Sequence, residues 1–245
     1  MLAPVASRTH MSAPFGYDEI VPLERHHRVL MPSGTTPSFC RAIHALAVSV
    51  GEFVPAARDY PIVFASGDGG KTFAPVILLG LEPGINLFLD ASGEWDRAAY
   101  FPAYVRRFPF CLSQERVVCI VKSYVDAGGV PLYDAKGNPT PRWKAAEELL
   151  AGFNADLERT AKMGEALAKL DLLESFAVQV TDAPQLQLAG MVRVSEKKLG
   201  ALAPARLKAL LDKGFLGLIY AHLHSLENFS RLVARWKERQ GEPRG

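Results

Sequence analysis

The middle of this chain carries one uninterrupted helical pattern, and any fold must accommodate it. Thr140-Pro141 is a strong helix start, a capping side chain followed by proline at the first helical position. Ala146, Leu150, Phe153, Leu157, Ala161, Gly164 and Leu167 then form an apolar stripe. This predicts a helix over about 141–170. Extended segments lie on both sides of it. Ahead of it are Ile20–Leu23, Pro61–Ala65, Phe73–Leu79, Asn86–Leu89 and Val117–Val121, with a short strand Val130–Tyr133 in a long loop over 122–141. Beyond it, Phe176–Thr181 and Gln185–Val194 read as a hairpin around Asp182-Ala183-Pro184. Further helices are predicted from Phe39 to about Phe53 behind a Ser38 cap, with one more turn over Pro55–Asp59, and around Pro102–Phe108. Others run from the Ser195 cap to Ala201, over Pro204–Lys213 up to Gly214, and from Phe215 to about Arg239. Strands and helices mix without strict βαβ alternation, so the expected class is α+β. The expected architecture is a mixed, mainly antiparallel sheet packed against helices, with a long mid-chain helix and a C-terminal helix. Residues 19–239 are expected to form one domain, with 1–18 a flexible N-terminal segment and 240–245 a tail.

A chain of 245 residues can bury a core without disulfides or metals. Its 49% hydrophobic and 22% charged residues are those of a globular protein. A net charge of +2 argues against a dedicated nucleic-acid binder. The three cysteines, Cys40, Cys111 and Cys119, are odd in number and form no C-x-x-C pair. Reduced thiols in a cytoplasmic protein are expected. The longest apolar runs, Pro75–Leu81 and Phe215–Tyr220, fall far short of the ~20 residues that span a bilayer. Met1–Gly16 lacks the apolar core of a signal peptide.

Four groups of residues could carry chemistry. Ala65-x4-Gly70-Lys71-Thr72 matches a relaxed phosphate-loop pattern, but Pro75-Val76-Ile77 follow where a helix is required. A glycine-rich tip between two strands is the simpler account. Histidines His26, His27, His44, His222 and His224 show no zinc spacing, so no metal site and no cofactor are expected. On the last helix, steps of about 100° place His222 in the middle of an apolar face. That face holds Leu218, Ile219, Leu226, Phe229, Val233 and Trp236, with Ser225 beside the histidine. Tyr220, His224, Glu227, Asn228, Arg231 and Arg235 share the polar face. His222 should therefore be buried and His224 exposed. A buried imidazole needs partners, and a structural histidine is the plain reading. The functional alternative is an acid or base at a pocket floor. Finally, Asp90, Glu94 and Asp96 crowd Trp95, followed by Tyr100, Tyr104, Arg106 and Arg107. Aromatics with arginines are typical of binding surfaces, and two arginines could grip a carboxylate or phosphate. Local pairing with Asp90 or Asp96 is the blander account.

Several of these blocks together resemble the bacterial SapC-like family. They include Val21-Pro22-Leu23, Glu52-Phe53, Tyr60-Pro61-Ile62-Val63-Phe64, Leu78-Leu79-Gly80-Leu81 and Asn86-Leu87-Phe88. Gly93 with Trp95, Tyr104-Val105-Arg106-Arg107-Phe108-Pro109-Phe110 and Gly190 with Arg193-Val194 continue the match. It ends with Tyr220-Ala221-His222-Leu223, Ser225-Leu226, Asn228 and Arg231-Leu232. The resemblance covers about Ile20 to Val233. It implies a link, by name, to a bacterial surface layer, and it brings no catalytic residues with it. A peptide-transporter permease shares the letters of the name, but this sequence has no spanning helix. Family members are associated with genes for surface uptake receptors and halogenase-like enzymes, which implies an accessory role.

The expected function is thus a non-catalytic accessory or binding protein for a surface-related or specialised-metabolism pathway. Its partner is expected to be a protein or a small anionic ligand. The expected contact residues are Trp95, Tyr104, Arg106, Arg107, Tyr220, His222, Ser225, Asn228 and Arg231. The alternatives are an enzyme using His222 with an arginine anion clamp, and an exported surface-layer component.

Overall fold

A computed structural model describes residues 12–32, 36–180 and 183–241. Most of the expected N-terminal segment, residues 242–245 of the tail, and Asp182 of the hairpin turn lie outside the described residues. The chain divides into two compact units. One comprises Met1–Thr35 with Arg107–Ala151, the other Thr36–Arg106 with Gly152–Gly245.

In the first unit, β1 (Ile20–Pro22) and β6 (Phe110–Leu112) flank β7 (Val118–Val121) in an antiparallel sheet. The short strands β2 (Arg28–Val29) and β8 (Val130–Pro131) pair with each other. Helix α3 (Pro141–Lys169) begins as the sequence predicts. The Thr140 carbonyl takes the Lys144 amide at 2.9 Å, and its hydroxyl faces the Trp143 amide at 3.4 Å. Trp143 and Leu150 on this helix pack with Val29, Phe110, Ile120 and Leu132 as the unit's core.

The second unit holds a five-stranded antiparallel sheet in the order β3-β5-β4-β10-β9. Its strands are β3 (Ala45–Ala47), β4 (Ile62–Ala65), β5 (Ala74–Leu78), β9 (Leu173–Val180) and β10 (Ala183–Val194). Ile62, Val63 and Phe64 of β4 are buried on both faces, which suits a central strand. The helices are α1 (Phe53–Ala57), α2 (Ala103–Arg106), α4 (Glu196–Gly200), α5 (Pro204–Asp212), α6 (Phe215–Ser225) and α7 (Asn228–Gly241). Helix α6 packs against β4, β10, α1 and α5. Gly214, at φ 70°, stops α5 in the left-handed conformation that glycine takes without strain. The α+β class stands. Among the described residues no helix is long and apolar enough to cross a membrane.

Local assignments differ in four places. The segment read as one helix from Phe39 to Phe53 is a 3-10 turn over Ser38–Ala42, strand β3, a second 3-10 turn over Val50–Glu52, and α1. Pairing of Ala45–Ala47 with β5 overrides helix propensity there. Asn86–Leu89 is a turn, not a strand, with one isolated bridge from Leu89 to Trp95. The helix expected over 215–239 breaks at Leu226-Glu227. Amides 226, 227 and 229 bond three residues back instead of four, tightening the chain into two helices. Ser195 precedes α4, yet its hydroxyl makes no capping bond; it serves the Glu174 carboxylate instead.

The tip between β4 and β5 is a turn, in line with the simpler account. The Asp68 carboxylate accepts the Lys71 and Thr72 amides and the Ser66 and Thr72 hydroxyls. These bonds, led by the Thr72 amide, lower its pKa to about 2. The loop therefore closes on its own carboxylate, and a strand follows it.

Candidate functional site

Two polar arrangements in the second unit hold most of the singled-out residues. The first is a set of fasteners on α6 and α7. His222 is fully buried, and both ring nitrogens bond to backbone. Nδ1 lies 2.8 Å from the Ile62 carbonyl, and Nε2 accepts the Val194 amide at 3.0 Å. These partners fix the neutral tautomer with the proton on Nδ1. Burial pushes the imidazole's pKa down to about 4. One turn on, the Ser225 hydroxyl accepts the Ile62 amide at 2.9 Å and donates to the His222 carbonyl at 2.6 Å. Both polar groups of Ile62 on β4 are thus satisfied by α6 side chains, while His222 also reaches β10. Those strands meet at one registered pair, Val192 with Phe64, so the imidazole strengthens a thin seam.

Asn228 falls on the polar face of the expected helix, yet it is buried. Its amide donates to the Ala57 and Tyr60 carbonyls at 2.7 and 3.2 Å. The exposed Arg231 donates to the Arg58 carbonyl at 2.8 Å and to Asn228 Oδ1 at 3.2 Å. Arg235 pairs with Asp96 at 2.6 Å and lies 4.4 Å over the Phe88 ring. Tyr220 is exposed, as its position on the helix predicts.

The second arrangement runs from the core to the surface. Glu52 is 4% exposed and carries a capping box with Ser49. One oxygen accepts the Ser49 amide and hydroxyl at 3.1 and 2.8 Å. The other accepts the Ala103 amide at 2.6 Å and the Tyr100 hydroxyl at 3.2 Å. The Tyr100 oxygen in turn accepts Arg106 Nη2 at 2.9 Å, and the guanidinium lies 5.6 Å over the Tyr100 ring. Burial, with the Glu52 charge beside it, pushes the Tyr100 hydroxyl up to about 12, so it stays protonated and donates to Glu52. Arg106 itself is an exposed residue.

A model of the family described as SapC matches residues 23–232, most of the chain. The chain belongs to the SapC family. No curated protein and no solved structure matches it.

The remaining expected contact residues of this SapC chain are distributed unevenly. Trp95 and Tyr104 are buried. Trp95 Nε1 donates to the Tyr60 hydroxyl at 3.1 Å, and the Tyr104 ring packs edge-on against Phe39 and Phe153. Arg106 and Arg107 belong to different units. Arg107 lies 5.5 Å over the Tyr17 ring of the first unit. Tyr100 stands in the aromatic–arginine group that the sequence singles out, but Glu52, its buried partner, does not. The Ser49-x-x-Glu52 capping-box spacing was the available signal, hidden by the helix assigned across it.

In the first unit, Glu24, His26 and His27 bring ligand-type atoms within 4.8 Å of one another. Those groups already have local partners. His26 Nδ1 lies 3.2 Å from the Glu24 carboxylate, and His27 Nδ1 accepts the Glu24 amide at 3.2 Å. Closing an exposed turn accounts for the cluster.

Proposed function

We propose that this SapC-family chain is an accessory binding protein that grips a carboxylate or phosphate on its ligand or partner through Arg106. The observation that carries the reading is the relay from buried Glu52 through Tyr100 to the guanidinium of the exposed residue Arg106. An exposed arginine ordinarily loses about 0.5–1.5 kcal/mol of rotamer freedom when it is immobilised on binding. Here the hydrogen bond and the aromatic face hold the side chain in advance. One of its five donors is spent on Tyr100, and the fork suits two oxygens of a carboxylate or phosphate. The bonding of His222 to two backbone groups supports a structural part for that residue. Arg231 and Tyr220, both exposed, are further solvent-facing groups of the last helices. A surface-uptake or specialised-metabolism pathway, the setting the resemblance implies, is the proposed source of the acidic partner.

Titration with inorganic phosphate and with citrate tests the proposal, followed by NMR at the backbone amides of residues 105–107, which every variant retains. The expected result is a saturable shift in the wild type. Arg106→Lys should weaken it, because the bidentate fork is lost. Arg106→Ala should abolish it while circular dichroism stays unchanged. No saturable shift at those amides, or equal anion binding by Arg106→Ala, would sink the reading.

A further inference from the structure

In the first unit, Cys111 of β6 and Cys119 of β7 are register partners, directly opposite each other across two antiparallel strands. Directly opposed residues point to the same face of a sheet. Both are thiols and both are fully buried. The backbone bonds on either side define the kind of pair. The Ser113 amide donates to Val117 at 2.9 Å, and the Val121 amide donates to Pro109 at 3.0 Å. Hydrogen-bonded pairs alternate along an antiparallel ladder, so Cys111 and Cys119 form the hydrogen-bonded pair between them, with Cα atoms about 5.5 Å apart. A disulfide spans Cα separations of roughly 4.4–6.8 Å. The Cα separation therefore lies within the bridging range, but the side chains of a hydrogen-bonded pair stand farther apart than those of the alternate pairs, so the strands must shift locally to close the bridge.

We propose that Cys111 and Cys119 form a thiol-oxidation site, a dithiol that closes to a reversible cross-strand disulfide with a low-molecular-weight disulfide as oxidant. In the first step a cysteine thiolate attacks one sulfur of the small disulfide. A mixed disulfide forms, the small S–S bond breaks, and one small thiol leaves. In the second step the other cysteine attacks the protein sulfur of the mixed disulfide and expels the second small thiol. Two cysteine S–H protons are given up and two electrons pass to the small disulfide, which becomes two thiols.

The strand order assigns an order of events. β6 is an edge strand of three residues, whereas β7 is central in its sheet. Short edge strands open locally at low cost. Peeling β6 uncovers Cys111 first, while Cys119 stays paired through β1. Burial holds the Cys111 thiol up at about 11, with the nearby Cys119 adding to the effect. The closed sheet is accordingly unreactive, and oxidation waits on that opening. Once formed, the bridge ties the edge strand down.

The test uses the full chain carrying Cys40→Ala, so that two thiols remain. It is equilibrated under native conditions in glutathione buffers of rising oxidised fraction, then quenched with an alkylating reagent. Intact mass should fall by about 2 Da with no alkylation. Peptide mapping should join the segments bearing residues 111 and 119, and dithiothreitol should restore two alkylatable thiols. The wild type, which keeps Cys40, should show the same linkage. In the bridged form, amide hydrogen exchange at Phe110–Leu112 should slow by at least about tenfold. Persistent free thiols, stable glutathione adducts, intermolecular dimers, or a bridge that forms only in denaturant would each overturn the proposal.

Discussion

His222 shows how a single side chain is tied to the fold by sign as well as by geometry. Its folded pKa, about 4, lies below the ordinary value of 6.5, because burial disfavours the charged form. Between those values the unfolded chain binds a proton that the folded chain refuses. Its contribution, about 3 kcal/mol, is therefore fully present above about pH 6.5 and is lost as the pH falls toward 4. Denaturant melts at pH 7.5 and pH 4.5 should show that slope in the wild type. His222→Ala should be less stable at pH 7.5 by roughly 3–5 kcal/mol, since it leaves the Ile62 carbonyl and the Val194 amide unpaired around a cavity. It should also lose this part of the pH slope. Equal slopes in the two proteins would show that the imidazole does not titrate across folding. The burial of this residue was legible from its place on an apolar helix face. Its partners were not, because they lie 28 and 160 residues away in sequence.

Among the elements, α3 was the most legible and the 39–53 segment the least. Thr140-Pro141 and a sustained stripe leave no competing reading for α3. By contrast Ile43, Ala47, Val50 and Val54 fit a helical spacing, yet Leu46 and Val48 are buried with Ala47 exposed between them, a strand's alternation. Only the partner strand β5 decides between the two. Within α3 two glycines have opposite consequences. At Gly152 a β-carbon would enter open space, with nothing within 4 Å. Gly152→Ala should raise stability by about 0.5–1 kcal/mol through helix propensity. At Gly164 a Cβ would fall 2.3 Å from the Phe73 carbonyl oxygen, a backbone atom that cannot swing away. There the same propensity gain opposes an overpacking cost of roughly 1–3 kcal/mol. Gly164→Ala should therefore destabilise, by up to about 2 kcal/mol. Urea midpoints that move the same way for both variants would contradict the close approach of Phe73.

At the scale of the molecule, the second unit is closed by its last residues. Ile62 on β4, the turn at Ala57–Tyr60 and the Glu82–Asp96 segment are all held by side chains from α6 and α7. The bonds run from His222 and Ser225, from Asn228 and Arg231, and from Arg235, Trp236 and Arg239. Trp236 reaches Glu82 at 2.6 Å and Arg239 reaches the Asn86 carbonyl at 2.9 Å. Those contacts span 139 to 173 residues of sequence. Loop closure on that scale costs entropy before any contact repays it, so we expect these bonds to form late in folding. This is also why the sequence displayed the parts and not their joining. The blocks resembling the SapC-like family were visible in order, but nothing local states that His222-x-x-Ser225 meets Ile62. A chain ending at Gly214 should lose every one of these fasteners together. Its β4 would keep a buried-type sequence with Ile62 unsatisfied, and Trp95 and Tyr60 would lose the helices that cover the segment they sit in. We expect such a chain to give weak near-ultraviolet circular dichroism and a red-shifted tryptophan emission, the signature of lost side-chain packing. Native-like spectra from it would mean that α6 and α7 decorate the sheet instead of closing it.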